Sequence, residues 1–364
     1  MGNEIAFGVG CLAFEAPGAE SIDDWKTSVS FALNEIASIR DLEFHEVDRF
    51  SLHSKEAKNS YGDTLEGLPV SGSMRFRISI PSRVQQDLVR GRQVGEIEDF
   101  SVFTVFDRRH PVSFVVAEGS DYSTRKPSDA LVVIREFLRR ELGKIKETSV
   151  RIRRLGPTPF HAECYIIAGE GGARISNGVA VEVQQRTGYD KFTFLYSPEG
   201  GGAADTYGQV VAWMTPEFAL FYSVTADRST RMRRSVETIN LADALSHTYS
   251  HKGIFAYIRR VLRNKRDLLT LRLAVLQCRL ATVHEQRSAE SRIENLYSER
   301  DVQVVRPYID KTLGQTYDEE VDTAEKMLEI LESQHTQEVQ RITTFCASLL
   351  GVTVGALLTA LLRR

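Results

Sequence analysis

Residues 342–362, "ITTFCASLLGVTVGALLTALL", run for twenty-one positions without a charged side chain. As a helix the segment measures about 31 Å at ~1.5 Å per residue, matching the ~30 Å hydrocarbon core of a bilayer. Arg341 stands before it and Arg363 and Arg364 after it, and arginines at helix ends can reach lipid headgroups. A buried core helix and a surface helix are the alternatives. A transmembrane helix is the expectation, because the run follows a long polar helical stretch. Placed on a helical wheel, Thr344, Ser348, Gly351, Gly355 and Thr359 fall in a stripe ~80° wide. Ile342, Phe345, Leu349, Leu350 and Leu357 lie opposite. Gly351 and Gly355 form a GxxxG pair, and small residues let membrane helices approach closely while hydroxyls bond across. These five residues are the candidates for helix packing or for lining a pore.

The rest of the chain has a different texture. The formal net charge of −3 gives no global attraction to nucleic acid or anionic lipid. The cysteines, Cys11, Cys164, Cys278 and Cys346, are far apart and form no CxxC pair, so neither a zinc site nor a disulfide framework is expected. The opening "MGNEIAFGVGCLAF" lacks the basic flank of a signal peptide and alternates like a strand. The bulk of the chain is therefore expected in the cytosol, held at a cell inner membrane by its apolar helix.

Residues 1–226 read as a mixed α/β domain. Period-2 or continuous apolar runs predict strands near 5–14, 42–52, 73–80, 100–106, 112–118, 148–155, 162–168, 178–184 and 191–196. Helices are expected over 22–38, with Ser21 as N-cap, and over 128–145. The strand–helix–strand order of 5–52 recurs at 112–155, as a duplicated α/β unit would show and as chance recurrence of a common motif would too.

From about residue 227 helix formers dominate, and residues 227–341 read as a coiled-coil helical hairpin with a break near 300–307, where Pro307 stands. A heptad over 254–296 places Ile254, Val261, Leu268, Val275, Thr282, Ala289 and Leu296 at a, and Tyr257, Asn264, Leu271, Cys278, Glu285 and Arg292 at d, so the seam is apolar in its first half and decays later. Residues 228–272 carry eleven Lys or Arg against three acids, whereas 285–338 carry fourteen acids against six bases. A turn near 300–307 would set residue 272 beside roughly residue 330, basic helix against acidic helix. The overall expectation is an α+β protein: an N-terminal mixed α/β cytosolic domain, a helical hairpin and a single transmembrane helix at 342–362.

The basic residues have three readings: a solvated helix face, contacts to anionic headgroups, or contacts to a phosphate-bearing ligand. The candidates are Arg228, Arg231, Arg233, Arg234, Arg259, Arg260, Arg263, Lys265 and Arg266. Catalytic chemistry is not legible. His247 and His251 are spaced i,i+4 but without the glutamate of HExxH. "SPEGGGAADTYG" at 197–208 lacks a GK[ST] ending and reads as a flexible loop, and "GEGGAR" at 169–174 reads as a hairpin turn. No catalytic residue, metal site or cofactor is expected.

The succession of 1–226, 227–341 and "ITTFCASLLGVTVGALLTALL" resembles CorA-type channels in outline, without their second span or their GMN motif. It also resembles the membrane-channel effectors of bacterial antiphage systems, the Hailong type among them. The resemblance implies a homo-oligomer, a tetramer or similar, held closed by a nucleotide or single-stranded nucleic-acid product of a partner nucleotidyltransferase and opening a channel on release. It would make Arg228, Arg231, Arg233 and Arg234 phosphate contacts. The alternative function is a membrane-tethered cytosolic enzyme.

Overall fold

The computed structural model describes residues 4–48, 68–89, 97–107, 110–118, 127–153, 162–176, 178–186, 189–198, 201–250, 254–298, 300–315 and 317–362. The chain forms two compact units. The first comprises Met1–Asp227 and Ala289–Gly314, the second Arg228–Ser288 and Gln315–Arg364.

The first unit is built on a nine-stranded sheet. Its strands are β1 (Glu4–Gly10), β3 (Ile39–His45), β4 (Ser73–Ser79), β5 (Asp99–Asp107), β6 (His110–Ala117), β8 (Ala162–Ala168), β9 (Ala173–Ser176), β10 (Val179–Arg186) and β11 (Tyr189–Tyr196). Their order is β3-β4-β5-β6-β1-β8-β11-β10-β9. The neighbours are antiparallel except β8 and β11, which run parallel. The single strand expected over 5–14 breaks after Gly10. Its second part, β2 (Ala13–Glu15), leaves the sheet and pairs with β7 (Arg151–Arg153). Thus β3 lies at an edge of the large sheet while β7 lies outside it, and the two segments compared as a repeat end in different places.

Alternation along β1 decides what each face of the sheet receives. Phe7 and Val9 are buried on one face, and Gly8 and Gly10 face the other way. A Cβ on Gly8 would stand 2.5 Å from the carbonyl oxygen of Pro127, the first residue of helix α3 (Pro127–Leu142). The bare glycine surface is what lets α3 lie on β1. Helix α1 (Ile22–Asn34) covers the same core, with Ser21 accepting from the Asp24 N–H at 3.1 Å as the expected N-cap. Trp25 of α1 is fully buried, donates to the Phe14 carbonyl at 2.9 Å and meets Phe44 and Phe106 edge-on. A short helix that the sequence reading missed, α2 (Ser82–Leu88), follows β4.

The opposite face is covered by helices that begin earlier than composition suggests. Helix α4 (Ala203–Ser250) starts inside the glycine-rich segment read as a loop. Val210, Met214, Phe218, Phe221 and Tyr222 of α4 pack over Phe7, Phe114, Phe192 and Phe194. Ala289, Ile293 and Tyr297 of α5 (Ile254–Tyr297), and Ile309 of α6 (Arg306–Leu313), complete that core. Pro307 sits in the first turn of α6 and so opens a helix, where its missing N–H costs nothing.

"GEGGAR" is not a hairpin turn. It takes the chain from β8 across the ends of β11 and β10 to the edge strand β9. Gly169 donates to the Tyr196 carbonyl at 3.1 Å. Gly172 has φ +72°, and a Cβ there would stand 2.8 Å from the Val181 carbonyl oxygen. The glycines are required because the crossing chain has no room for side chains.

In the second unit three helices, not two, share a core: Ala242 and Leu245 of α4, Leu268, Leu271, Val275 and Cys278 of α5, and Val321, Ala324, Leu328 and Leu331 of α7 (Asp318–Leu362). The α5 residues are a and d positions of the expected heptad. Helices α5 and α7 are antiparallel, with Arg272 3.7 Å from Glu332 and Arg279 bridging Asp318, Asp322 and Glu325. This is the basic-on-acidic register that the charge distribution calls for. Helix α7 runs on without a break through the uncharged segment.

Candidate functional site

A cavity of about 560 Å³ opens in the first unit between the end of the β5–β6 hairpin, the edge strand β9, α4 and the chain following α5. Its volume is in the range of small-molecule sites. Polar residues from five places in the sequence converge on it: Asp107, His110, Arg174, Arg292, Arg300 and Asp301, with Trp213 beside them. Three guanidiniums and two carboxylates line it, and Arg292 and Arg300 also hold Asp227 and Glu217, so the polar lining is of mixed charge.

The cavity is held open by a polar hub. Glu217 of α4 is 1% exposed and accepts from the Tyr297 hydroxyl at 3.1 Å, the Arg300 guanidinium at 3.0 Å and the Val305 N–H at 2.9 Å. Burial pushes its carboxyl above the ordinary value, and the three donors pull it back. Burial and the neighbouring Glu217 likewise push the Tyr297 hydroxyl up. Pro216 precedes Glu217 within the helix, where a proline removes one ladder bond. Next to it the Trp213 carbonyl accepts from Arg300 at 2.9 Å, and the Arg300 guanidinium lies 5.3 Å above the Trp213 ring. Every hydrogen bond recorded for Arg300 uses one terminal nitrogen; Nε and the other terminal nitrogen make none among the described residues.

Arg292 is fixed by the Ser223 hydroxyl and by Asp227, the latter at 3.1 Å. Arg174 is anchored by the Ser176 carbonyl at 3.3 Å and is exposed. The arrangement sets arginines that already hold carboxylates beside an indole ring whose face Arg300 covers. Among the described residues no nucleophile is hydrogen-bonded to a base in this cavity, and no cluster of metal-ligating side chains exists.

The basic candidates from the sequence do not converge on one place. Arg231 is 6% exposed and lies 3.7 Å from Glu285, and Arg234 contacts the same carboxylate at 3.3 Å. Arg228 donates to the Tyr317 hydroxyl at 3.3 Å, and exposed Arg233 lies 3.8 Å from Glu237. Three of the four candidate phosphate contacts therefore lie against a carboxylate of their own unit, Arg231 and Arg234 against Glu285 and Arg233 against Glu237. Lys265 and Arg266 are exposed on α5; the side chains of Arg259, Arg260 and Arg263 lie outside the described residues. His247 is 3.6 Å from Asp243, and His251 lies outside the described residues. The glycine-rich segment at 201–202 does precede a helix, but the Gly202 N–H there already donates to the Asp205 carboxylate at 3.3 Å.

The uncharged part of α7 is long and apolar enough to cross a membrane, and none of that window is buried. Phe345, Leu350 and Val352 are 66%, 64% and 70% exposed. A Cβ on Gly351 or Gly355 would meet nothing within 4 Å among the described residues, so the close approach they permit is not used there. Thr344 and Ser348 donate to the carbonyls of Gln340 and Thr344 at 2.9 Å, which satisfies their hydroxyls without water. Thr353, on the Leu-rich side, does the same with Leu349 and Leu350. Thr359 belongs to α7, with its side chain outside the described residues.

Sequence reasoning missed the cavity, because Arg174, Arg292 and Arg300 share no local pattern. One signal was present: Arg292 occupies a d position, where a charge must find a partner off the seam. Comparison with known proteins gives no match, neither to a family model nor to a curated protein nor to a solved structure.

Proposed function

We propose that this chain is an oligomeric membrane-anchored effector. Residues 342–362 of α7 cross the bilayer, and copies associate through the side bearing Thr344, Ser348, Gly351, Gly355 and Thr359, around a narrow ion-conducting path. An anionic ligand, a nucleotide or short single strand, binds the Arg174–Arg292–Arg300 cavity and controls that association. The observation that carries the membrane reading is the unburied apolar surface of α7, with two glycines whose Cβ positions are empty. Water would penalise that surface at about 25 cal/mol per Å², and lipid removes the penalty.

The cavity supports the ligand reading better than Arg231 and Arg234 do because it offers room for a ligand, whereas Arg231 is 6% exposed; in both places guanidiniums already hold carboxylates, Asp227 and Glu217 at the cavity and Glu285 at Arg231 and Arg234. In a bacterial cell such a device would act in antiphage defence, as the resemblance to channel effectors implies.

The decisive experiment is purification of the full chain in detergent, mass measurement, and conductance in a planar bilayer, with Gly351→Leu and Gly355→Leu alongside. Oligomers that conduct, and lose conductance in both variants, are expected. A monomeric, non-conducting wild type would remove the proposal.

A further inference from the structure

The α5 helix carries a second apolar seam. Leu269, Leu273, Leu276, Leu280 and Val283 are 56%, 50%, 51%, 62% and 48% exposed. Their spacing is 4-3-4-3, the heptad repeat that lets one helix pack along another. The seam lies about 140° around the helix from Leu268, Leu271, Val275 and Cys278, which are buried against α4 and α7. An ordinary amphipathic surface helix has one apolar stripe and a polar back. A stripe of this length on the outer side of a helix already committed to its own core is an association surface.

We infer that this seam packs against the same seam of a second copy, in parallel and in register. Two features specify that occupant. With Leu273 and Leu280 at a and Leu269, Leu276 and Val283 at d, the g positions are Lys265, Arg272 and Arg279, and the e positions are Thr270, Gln277 and His284. An antiparallel pair sets g against g, cation against cation. A parallel pair sets each cation against a neutral or weakly basic e residue, while Arg272 and Arg279 keep their own α7 carboxylates. The second feature is direction. Helix α5 runs antiparallel to α7, and α7 continues unbroken into the uncharged segment. Copies whose α7 helices cross one bilayer in the same sense have parallel α5 helices. This directional step rests on the membrane reading above; the exposed heptad does not.

The test uses the full chain in detergent, with Cys346→Ser as background. Leu269→Cys and Val283→Cys, at opposite ends of the seam, are oxidised singly and as a mixture. Each single variant is expected to form a disulfide-linked dimer, because parallel in-register helices bring a d position to its own copy. Linkage only in the mixture, or none at all, overturns the inference. In a second arm Leu273→Asp with Leu280→Asp is expected to lower the oligomer mass at least two-fold with unchanged helix content; an unchanged mass overturns the inference. Should that double variant not fold, the cysteine arm decides. Gly351→Leu with Gly355→Leu separates the two ideas. If mass falls only with the glycine change, the seam is wrong and the membrane packing stands. If mass falls only with the leucine change, the seam stands and the small-residue packing is wrong.

Discussion

The carboxylate of Glu217 and the guanidinium of Arg300 meet at 3.0 Å across eighty-three residues of sequence, and the pair ties the chain after α5 to the middle of α4. Glu217 also receives the Val305 N–H and the Tyr297 hydroxyl. Removing it leaves Arg300 without its carboxylate and Val305 without an acceptor. Glu217→Ala is therefore expected to destabilise the first unit by about 3–5 kcal/mol, measured by chemical denaturation.

The same carboxyl gives a pH dependence with a definite sign. Burial raises its folded pKa above the ordinary 4.5, despite the donors from Val305, Arg300 and Tyr297. Between 4.5 and the raised folded value the folded state binds more protons than the unfolded state, so this contribution to stability falls as pH rises through that window. Glu217→Gln should flatten the stability profile there; an unaltered slope would show that another group is responsible.

Two ion-pair sets in the second unit should respond differently. Arg231 is 6% exposed beside Glu285, whereas Arg279 lies on an open face with Asp318, Asp322 and Glu325. Glu285→Ala strands a buried guanidinium and is expected to cost about 3 kcal/mol or more. Arg279→Ala should cost about 1 kcal/mol or less, and that cost should shrink further in high salt. Equal costs in thermal melts would contradict the difference in burial.

The β1–α3 contact predicts an asymmetry between two neighbouring glycines. A methyl at Gly8 meets the backbone of Pro127 at 2.5 Å, whereas one at Gly10 meets the Leu131 side chain. Backbone cannot rotate away and a leucine can. Gly8→Ala should destabilise by about 1–3 kcal/mol and Gly10→Ala by less, read from denaturation midpoints.

A charge in the uncharged segment tests the span itself. Val352 is 70% exposed and touches no core of either unit. Val352→Arg should leave the folded units intact while adding about 2.5–3.5 kcal/mol to the cost of insertion. Flotation with vesicles after alkaline washing should shift the protein from the membrane to the soluble fraction.

What the sequence made legible depended on whether a signal was local or periodic. Ser21 sits three residues before the N–H it caps, and it was read directly. The pairing of Arg272 with Glu332 came within two residues of expectation, because opposite charge blocks can match in only one register across a turn. Most strand positions followed from alternation, but the strand expected over 42–52 is β3 at Ile39–His45 and β9 was not expected; sheet order did not follow either, since nothing local tells β9 to cross two strand ends. The early start of α4 was hidden by glycines before it and by Pro216 within it, both helix-breaking signs that packing over Phe7 and Phe194 overrides. The third helix of the second unit was missed for a related reason. Ala242 and Leu245 stand among scattered apolar residues such as Met232, Val236 and Ile239 in a polar stretch, and their burial depends on partners distant in sequence.

The first unit is assembled from two separated lengths of chain, and this constrains how it can be made. Strands β1 to β11 are all translated before residue 197, yet Ala289, Ile293, Tyr297, Val304, Val305 and Ile309 are needed to seal one face of their sheet. In a nascent chain α4 can cover part of that face at once, but the remainder waits while nearly a hundred further residues are synthesised, and closure over such separations is slow. A protease that cuts between α4 and α5 would not release a finished domain; it would leave two fragments that have to find each other.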